Sequence, residues 1–186
     1  MVNLALISLL AVTNTGKFYY FTKKYFTETL FDKKETEMLA PANSDFYAIS
    51  KGVAQGDLIG GNLTVFSQLV GTPYLPDMHG KLLFLEDINE EPYRVDRMLM
   101  QLKLSGILSE VNGIIIGEFR KCDPEEPEKS LSLKQVLQDH LSNLNIPVFY
   151  GAKFGHIKDK WTLPIGIKAE MNADIGSLKL LEAAVV

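Results

Sequence analysis

The hydrophobic pattern becomes regular from Phe46 onward, where short apolar runs alternate with helical spacings. A continuous apolar run bounded by glycine or polar residues is typical of a buried strand. The runs that predict strands lie at 57–59, 82–85, 113–116 and 146–149. Apolar positions three or four residues apart predict helices at 92–108 and 132–144. Strands separated by helices indicate an α/β fold with at least some parallel pairing.

Residues 1–47 differ in character from the rest of the chain. The apolar run at 4–12 has no basic residue ahead of it and is too short to cross a bilayer. A buried helix or strand is therefore favoured there over a signal peptide. Aromatic and charged residues mix from Lys17 to Met38, and a loop pattern follows. We expect residues 1–47 to be a connector and residues 48–186 to form the main domain.

Composition narrows the possible functions. The 186 residues are 46% apolar and 23% charged, which is typical of a globular domain. The net charge of −4 provides no basic field, so we expect no nucleic-acid partner, and the short apolar runs predict no membrane partner. The lone Cys122 cannot form an internal disulfide and has no Cys or His nearby at metal-ligand spacing. We therefore expect a cytoplasmic protein with no metal and no cofactor.

A glycine pair, Gly60 and Gly61, follows one predicted strand and precedes Asn62. Such a pair lets the backbone approach another surface closely and can leave free N–H groups at a helix N-terminus. The pattern matches neither a Walker loop nor the spaced dinucleotide motif. The favoured interpretation is a tight strand-to-helix turn with Asn62 as the helix cap.

The strongest candidate for chemistry is Glu86, which directly follows the apolar run at 82–85. Functional groups in α/β proteins collect at the carboxyl ends of strands, and a buried carboxylate needs a partner. Other acidic residues nearby are expected to favour the dipole of the next helix and to pair with its arginines. These residues are Glu90, Glu91 and Asp96, with Arg94 and Arg97 as the arginines.

A histidine could supply the partner that Glu86 needs. Of the three histidines, His140 lies in a helical pattern and His79 in a loop rich in proline and glycine. His156 lies beside a glycine in a loop that follows a predicted strand, where functional residues are common. A carboxylate and a histidine on separate loops are two thirds of a nucleophile-base-orienter triad, although a lone histidine is more often structural.

Several motifs, in order along the chain from Gly52 to Glu182, carry a family resemblance. They are GDLIGGNL at 56–63, GTPY at 71–74, LEDI at 85–88, PYRVDR at 92–97, GH at 155–156 and LPIG at 163–166. With them the chain resembles the C-terminal domain of the LD-carboxypeptidases, the serine peptidase family of murein tetrapeptide carboxypeptidases and microcin C7 self-immunity enzymes. The resemblance implies a layered β/β/α swivelling-type domain with a mixed sheet. It also implies that Glu86 and His156 are catalytic.

The resemblance further implies a serine in a Gly-x-Ser-Asp turn, which belongs to a preceding flavodoxin-like domain. We expect that domain to be absent and residues 1–47 to be its remnant or connector, because residues 1–6 resemble the helix that follows the nucleophile turn. Ser44 and Asp45 reproduce the Ser-Asp pair, but they lack the strand, glycine and helix of a nucleophile elbow. A turn or helix cap is favoured for them. The implied substrate is an L,D-peptide or a peptidyl-nucleotide, and the implied assembly is a homodimer.

Three functional hypotheses follow. The chain could be the C-terminal part of a serine carboxypeptidase that supplies Glu86 and His156 and is inactive alone. It could be one subunit of a two-chain hydrolase whose partner carries the serine. It could also be a non-catalytic module that binds a peptide or a partner in the same groove.

Overall fold

The structure, a computed structural model, describes residues 19–31, 36–40 and 45–185. Its helices are α1 (Tyr20–Phe31), α2 (Leu63–Ser67), α3 (Pro92–Leu104), α4 (Ile107–Glu110) and α5 (Leu133–Leu141). Its strands are β1 (Glu37–Leu39), β2 (Tyr47–Ser50), β3 (Val53–Asn62), β4 (Leu82–Ile88), β5 (Gly113–Arg120), β6 (Val148–Tyr150), β7 (Lys168–Asn172) and β8 (Ser177–Leu180). The predictions for the run at 4–12 and for Ser44 lie outside these residues.

The eight described strands form one sheet in the order β1-β8-β7-β3-β4-β5-β6-β2. Strands β3 to β6 are parallel at its centre. The flanking strands pair antiparallel, with β2 on β6 at one edge and β7, β8 and β1 in turn beyond β3. The predicted α/β class with parallel pairing is therefore confirmed, and the sheet is mixed.

Strand β3 belongs to both halves of this sheet. Its residues from Val53 to Asp57 pair with β7, and those from Leu58 to Asn62 pair with β4. Gly60 has φ +149°, and a Cβ atom there would lie 1.8 Å from the carbonyl oxygen of Phe84. The glycine therefore permits close contact between neighbouring strands. Asn62 caps α2 as predicted, because its side chain accepts a hydrogen bond from the Val65 N–H.

The central strands are buried on both faces, because alternate residues point to opposite sides of the sheet. On one face, Leu83 and Leu85 belong to a core shared with α3, α4 and α5. On the other face, Leu82 and Phe84 belong to a core shared with β7 and β8. One β-layer therefore lies between helices and a second β-layer, which confirms the expected β/β/α architecture.

The helix predicted at 92–108 is shorter in the structure. Pro92 occupies its first turn, where the missing N–H is tolerated. Gly106 has φ +86°, a left-handed conformation that ends α3 and separates it from the short α4. The helix predicted at 132–144 is α5, which begins at a capping box formed by Ser132 and Gln135 and ends at Leu141.

The strand predicted at 146–149 is observed at 148–150 as β6. In the region before residue 48, β1 pairs with β8, and Tyr25 of α1 belongs to the core shared with β7 and β8. The division at residue 47 stays a prediction. Among the described helices, none combines the length and the apolar composition needed to cross a bilayer.

Candidate active site

Glu86 lies near the carboxyl end of β4, where the neighbouring strand β5 is irregular. Leu85 is paired with Ile116, whereas Asp87 is paired with Phe119, so β5 carries one extra residue opposite Glu86. Such bulges locally re-aim side chains and often lie next to active sites. Glu86 is only 4% exposed. Its carboxylate therefore needs a hydrogen-bond partner, as the sequence predicted.

His156 provides that partner. Its Nδ1 lies 2.8 Å from Oε2 of Glu86, although the two residues are 70 positions apart in the chain. The histidine side chain is 28% exposed and that of Glu86 is 6% exposed. No described residue forms a hydrogen bond with Nε2 of His156. The pair thus consists of a buried carboxylate and an imidazole that reaches solvent.

The loop that carries His156 fits closely against Glu86. Gly155 has φ +105°, and a Cβ atom there would lie 2.6 Å from Oε2 of Glu86. Glycine is therefore required on both conformational and steric grounds. The carbonyl oxygen of His156 accepts a hydrogen bond from Nη1 of Arg120 at 3.1 Å. At the base of the loop, the backbone N–H of Trp161 donates to the carbonyl oxygen of Lys153 at 2.5 Å.

The same loop is also held by α1. The Thr22 hydroxyl donates to the carbonyl oxygen of Lys158 and accepts from the N–H of Lys160. Lys160 is itself only 7% exposed. Burial lowers the pKa of its ammonium group, and the nearby Glu86 carboxylate opposes this shift. A buried ammonium group therefore lies near Glu86 in addition to the imidazole ring.

Asp87 has a different environment from Glu86. Its carboxylate accepts hydrogen bonds from Nδ2 of Asn62, from the N–H and hydroxyl of Thr64, and from the N–H of Ile88. Two of these donors belong to the first turn of α2. An acidic group there satisfies an otherwise unpaired helix N–H and favours the helix dipole. Asp87 thus joins β4 to α2.

The other candidate residues lie elsewhere and have structural contacts. Nε2 of His140 lies 2.8 Å from Oδ1 of Asp96, which joins α5 to α3. Arg94 forms an ion pair with Glu90 at 3.5 Å, as expected from the sequence. Glu91 accepts a hydrogen bond from a loop N–H, that of Glu125. Among the residues that the structure describes, no group of three or more acidic, histidine or cysteine residues could hold a metal ion.

Three contributors to this site were missed at the level of sequence. Arg120 ends a strand, Lys160 follows an acidic residue in a polar loop, and Thr22 lies in a segment predicted to be a connector. None of them has a spacing or motif that would indicate its role. Their importance arises from long-range contacts, which no local pattern encodes.

A cavity of about 340 Å³ adjoins the histidine loop. Phe21 and Ile157 form apolar parts of its wall, whereas Lys158 and Asp159 contribute charges of opposite sign. Its remaining lining residues are Glu118 and Lys153, whose side chains form an ion pair at 2.5 Å.

Comparison with known proteins identifies the family of this chain. Residues 55–171 match the model of the LD-carboxypeptidase C-terminal domain. The chain belongs to the LD-carboxypeptidase family. A relative from Bacillus subtilis named "Probable murein peptide carboxypeptidase" is 46% identical over 150 residues, covering 81% of this chain and 45% of the relative. The microcin C7 self-immunity protein MccF of Escherichia coli is 26% identical over 182 residues, covering 95% of this chain and 52% of that protein.

Solved structures of LD-carboxypeptidases share this fold. Muramoyltetrapeptide carboxypeptidase from Oxalobacter formigenes superposes with a TM-score of 0.74 at 36% identity, over 89% of this chain and 55% of that structure. An MccF-like protein from Bacillus anthracis gives a TM-score of 0.74 at 28% identity, over 87% of this chain and 56% of that structure. The present chain thus spans about half the length of the relatives it matches.

Proposed function

We propose that this chain supplies the base and the orienting acid of a serine-type LD-carboxypeptidase, with the serine located outside the described residues. The observation that carries this proposal is the 2.8 Å contact between Nδ1 of His156 and the buried carboxylate of Glu86. This contact is the base–orienter half of a triad. Membership of the LD-carboxypeptidase family supports the reaction class.

In this mechanism, Glu86 holds His156 in the tautomer that carries a proton on Nδ1. Nε2 is then free to take the proton of the serine hydroxyl as the serine attacks the scissile carbonyl. The same nitrogen later returns the proton to the leaving amine. The carboxylate of Glu86 stabilises the imidazolium that exists between these two steps. The nearly complete burial of Glu86 strengthens this interaction, because few waters screen it.

The proposed substrate is a peptide whose last bond joins an L-residue to a terminal D-residue. The 46% identity to a relative named for murein peptides supports this class. A peptidyl-nucleotide is the second candidate, supported by the 26% identity to MccF. The cavity beside the histidine loop offers apolar wall and both charges to either ligand.

A chimera tests the proposed function directly. The N-terminal part of the Bacillus subtilis relative, which by family resemblance carries the serine, would be joined ahead of this chain. We expect the chimera to release the terminal D-residue from a muropeptide. His156→Ala and Glu86→Gln should each lower kcat at least about 10³-fold, as loss of a triad member does. His79→Ala, at an exposed histidine in a distant loop, is the matched control.

The outcome of the chimera experiment is decisive in both directions. Full hydrolysis by a chimera that carries His156→Ala would contradict the proposal. The unfused chain, which we expect to be inactive, should also be assayed alone and mixed with the separate N-terminal part. Activity only in the mixture would favour the two-chain arrangement. Activity of the chain alone would show that the serine does not have to come from another segment.

Two further expectations stay predictions. The chain is expected to form a homodimer, which sedimentation equilibrium would measure as a mass of twice 20.8 kDa. It is also expected in the cytoplasm, which fractionation of the source cells would test.

A further inference from the structure

The hydroxyl of Thr22 makes two hydrogen bonds to the loop that carries His156. It donates to the carbonyl oxygen of Lys158 at 2.9 Å and accepts from the N–H of Lys160 at 3.1 Å. Thr22 lies in α1 and is 3% exposed, and it is separated by 136 and 138 residues from these two partners. One side-chain hydroxyl therefore satisfies two backbone groups of a distant loop.

These bonds matter because the loop has no regular secondary structure of its own. Residues 151–167 contain neither helix nor strand. Arg120 fixes the loop at the carbonyl of His156, and the contact between Trp161 and Lys153 closes its base. Thr22 acts on the stretch between these two fixed points. The Lys160 N–H donates to Thr22 in a buried contact. A buried backbone N–H without a partner is costly, so this bond fixes where the stretch lies.

We infer that Thr22 is a positioning residue for His156, through which α1 keeps the imidazole against Glu86. Thr22 itself lies outside residues 55–171, the segment that matches the LD-carboxypeptidase C-terminal domain. Without the Thr22 hydroxyl, the backbone at residues 158 and 160 moves toward other partners. His156 lies two residues before Lys158, and the single exposed hydrogen bond from Arg120 does not hold it against this movement, so it loses its 2.8 Å contact. The catalytic consequence rests on the proposed function, whereas the geometric one does not.

The chain offers closely matched variants. Thr22→Val keeps the shape of the side chain and removes the hydroxyl, whereas Thr22→Ser keeps the hydroxyl. Thr29 is the control, because it is also buried in α1 at 3% exposed and its hydroxyl has no hydrogen-bond partner in the described part of the chain. Thr29→Val therefore removes a hydroxyl from the same helix without touching the loop.

The first readout is NMR of the full chain with ¹⁵N-labelled histidine, which needs no activity. In the unmodified chain we expect a protected, downfield Nδ1 proton on His156 from the bond to Glu86. Thr22→Val should abolish or broaden this signal, and Thr22→Ser and Thr29→Val should retain it. An unchanged Nδ1 signal in folded Thr22→Val would overturn the inference.

A second measurement covers the case in which Thr22→Val does not fold. In the unmodified chain, the Lys160 amide proton and the His156 Nδ1 proton should lose protection together as urea is raised below the unfolding transition. Persistence of the Nδ1 signal after the Lys160 amide exchanges freely would also overturn the inference. In an active chimera, Thr22→Val should lower kcat about 100-fold with rescue by Thr22→Ser. Loss of the NMR contact in an inactive chimera would support the positioning role and count against the proposed function alone.

Discussion

Glu86 and Asp87 are adjacent in β4, and their carboxylates lie on opposite faces of the central sheet. Glu86 faces the second β-layer and contacts Nδ1 of His156, whereas Asp87 faces the helices and accepts hydrogen bonds from Thr64 and Asn62. The alternation of a β-strand explains this division. Two neighbouring acids with the same chemistry therefore have separate roles, one at the histidine and one at a helix start.

Substitutions of these two acids should differ in their effect on stability. Asp87→Asn places an amide donor against groups that already donate, so we expect a loss of about 2–3 kcal/mol in the free energy of unfolding. Glu86→Gln should change that free energy by about 1 kcal/mol, because its amide oxygen can still accept the Nδ1 hydrogen although Lys160 loses a nearby opposite charge. Urea denaturation of the two variants measures both values. Equal destabilisation by the two substitutions would contradict this difference.

Gly155 should be intolerant of any side chain. A Cβ atom there meets the Glu86 carboxylate at 2.6 Å, so we expect Gly155→Ala to destabilise the chain by about 2–4 kcal/mol. Gly166 is the matched control, since it also has a positive φ, of +82°, but no atom within 4 Å of the added Cβ. Gly166→Ala should cost only about 1 kcal/mol from backbone strain. Thermal unfolding that ranks the two variants equally would count against close contact at Glu86.

Tyr47 and Tyr150 should make the fold sensitive to alkaline pH. Their rings stack at 5.1 Å, and burial raises the pKa of Tyr47 to about 12 and also raises that of Tyr150. The unfolded chain releases these protons near pH 10, while the folded chain keeps them. Stability is therefore fully present below pH 10 and is lost as the pH rises toward 12.

Urea midpoints at pH 8 and pH 11 measure this alkaline loss. Tyr47→Phe should reduce it, whereas Tyr74→Phe, at a tyrosine that is 80% exposed, should leave it unchanged. A midpoint that is independent of pH over this range would show that the two half-buried rings ionise normally.

Cys122 should be unreactive in the folded chain. It is fully buried, and burial raises the pKa of its thiol to about 11, so little thiolate exists at pH 8. We expect a thiol reagent to label the native chain negligibly over an hour and to label one equivalent in denaturant. Stoichiometric labelling of the native chain within minutes would show that the face around α3 and α5 opens readily.

The part of this site that sequence predicts is the part that local patterns encode. The apolar run at 82–85 indicates a buried strand, and burial alone shows that Glu86 needs a partner. His156 is indicated by its loop and its neighbouring glycine, but its distance from Glu86 depends on the register of β4, β5 and β6. The helix start at Asn62 follows from capping chemistry, and the helix start at Ser132 follows from apolar spacing.

What sequence did not predict depends on contacts across the whole chain. Thr22 and Lys160 meet only because α1 packs beside the histidine loop, and α1 itself lies in a stretch whose mixed aromatic and charged residues suggested a connector. The apolar spacing also predicts a helix end at Leu108, which is later than the observed end at Leu104. There the left-handed Gly106 interrupts an apolar spacing that continues into α4.

The pairing of strand β3 determines how this domain unfolds. Its first half is paired with β7 and its second half with β4, so neither β-layer has a complete set of strands without it. If β3 separates from either β7 or β4, its backbone groups there lose their hydrogen-bond partners. The rest of the same strand is paired with the other β-layer, so that layer is affected too. The two layers should therefore behave as a single cooperative unit, with their most protected amides exchanging at one common rate. Glu86 lies on β4, next to β3, so its position is stabilised by the whole domain and not by one layer alone.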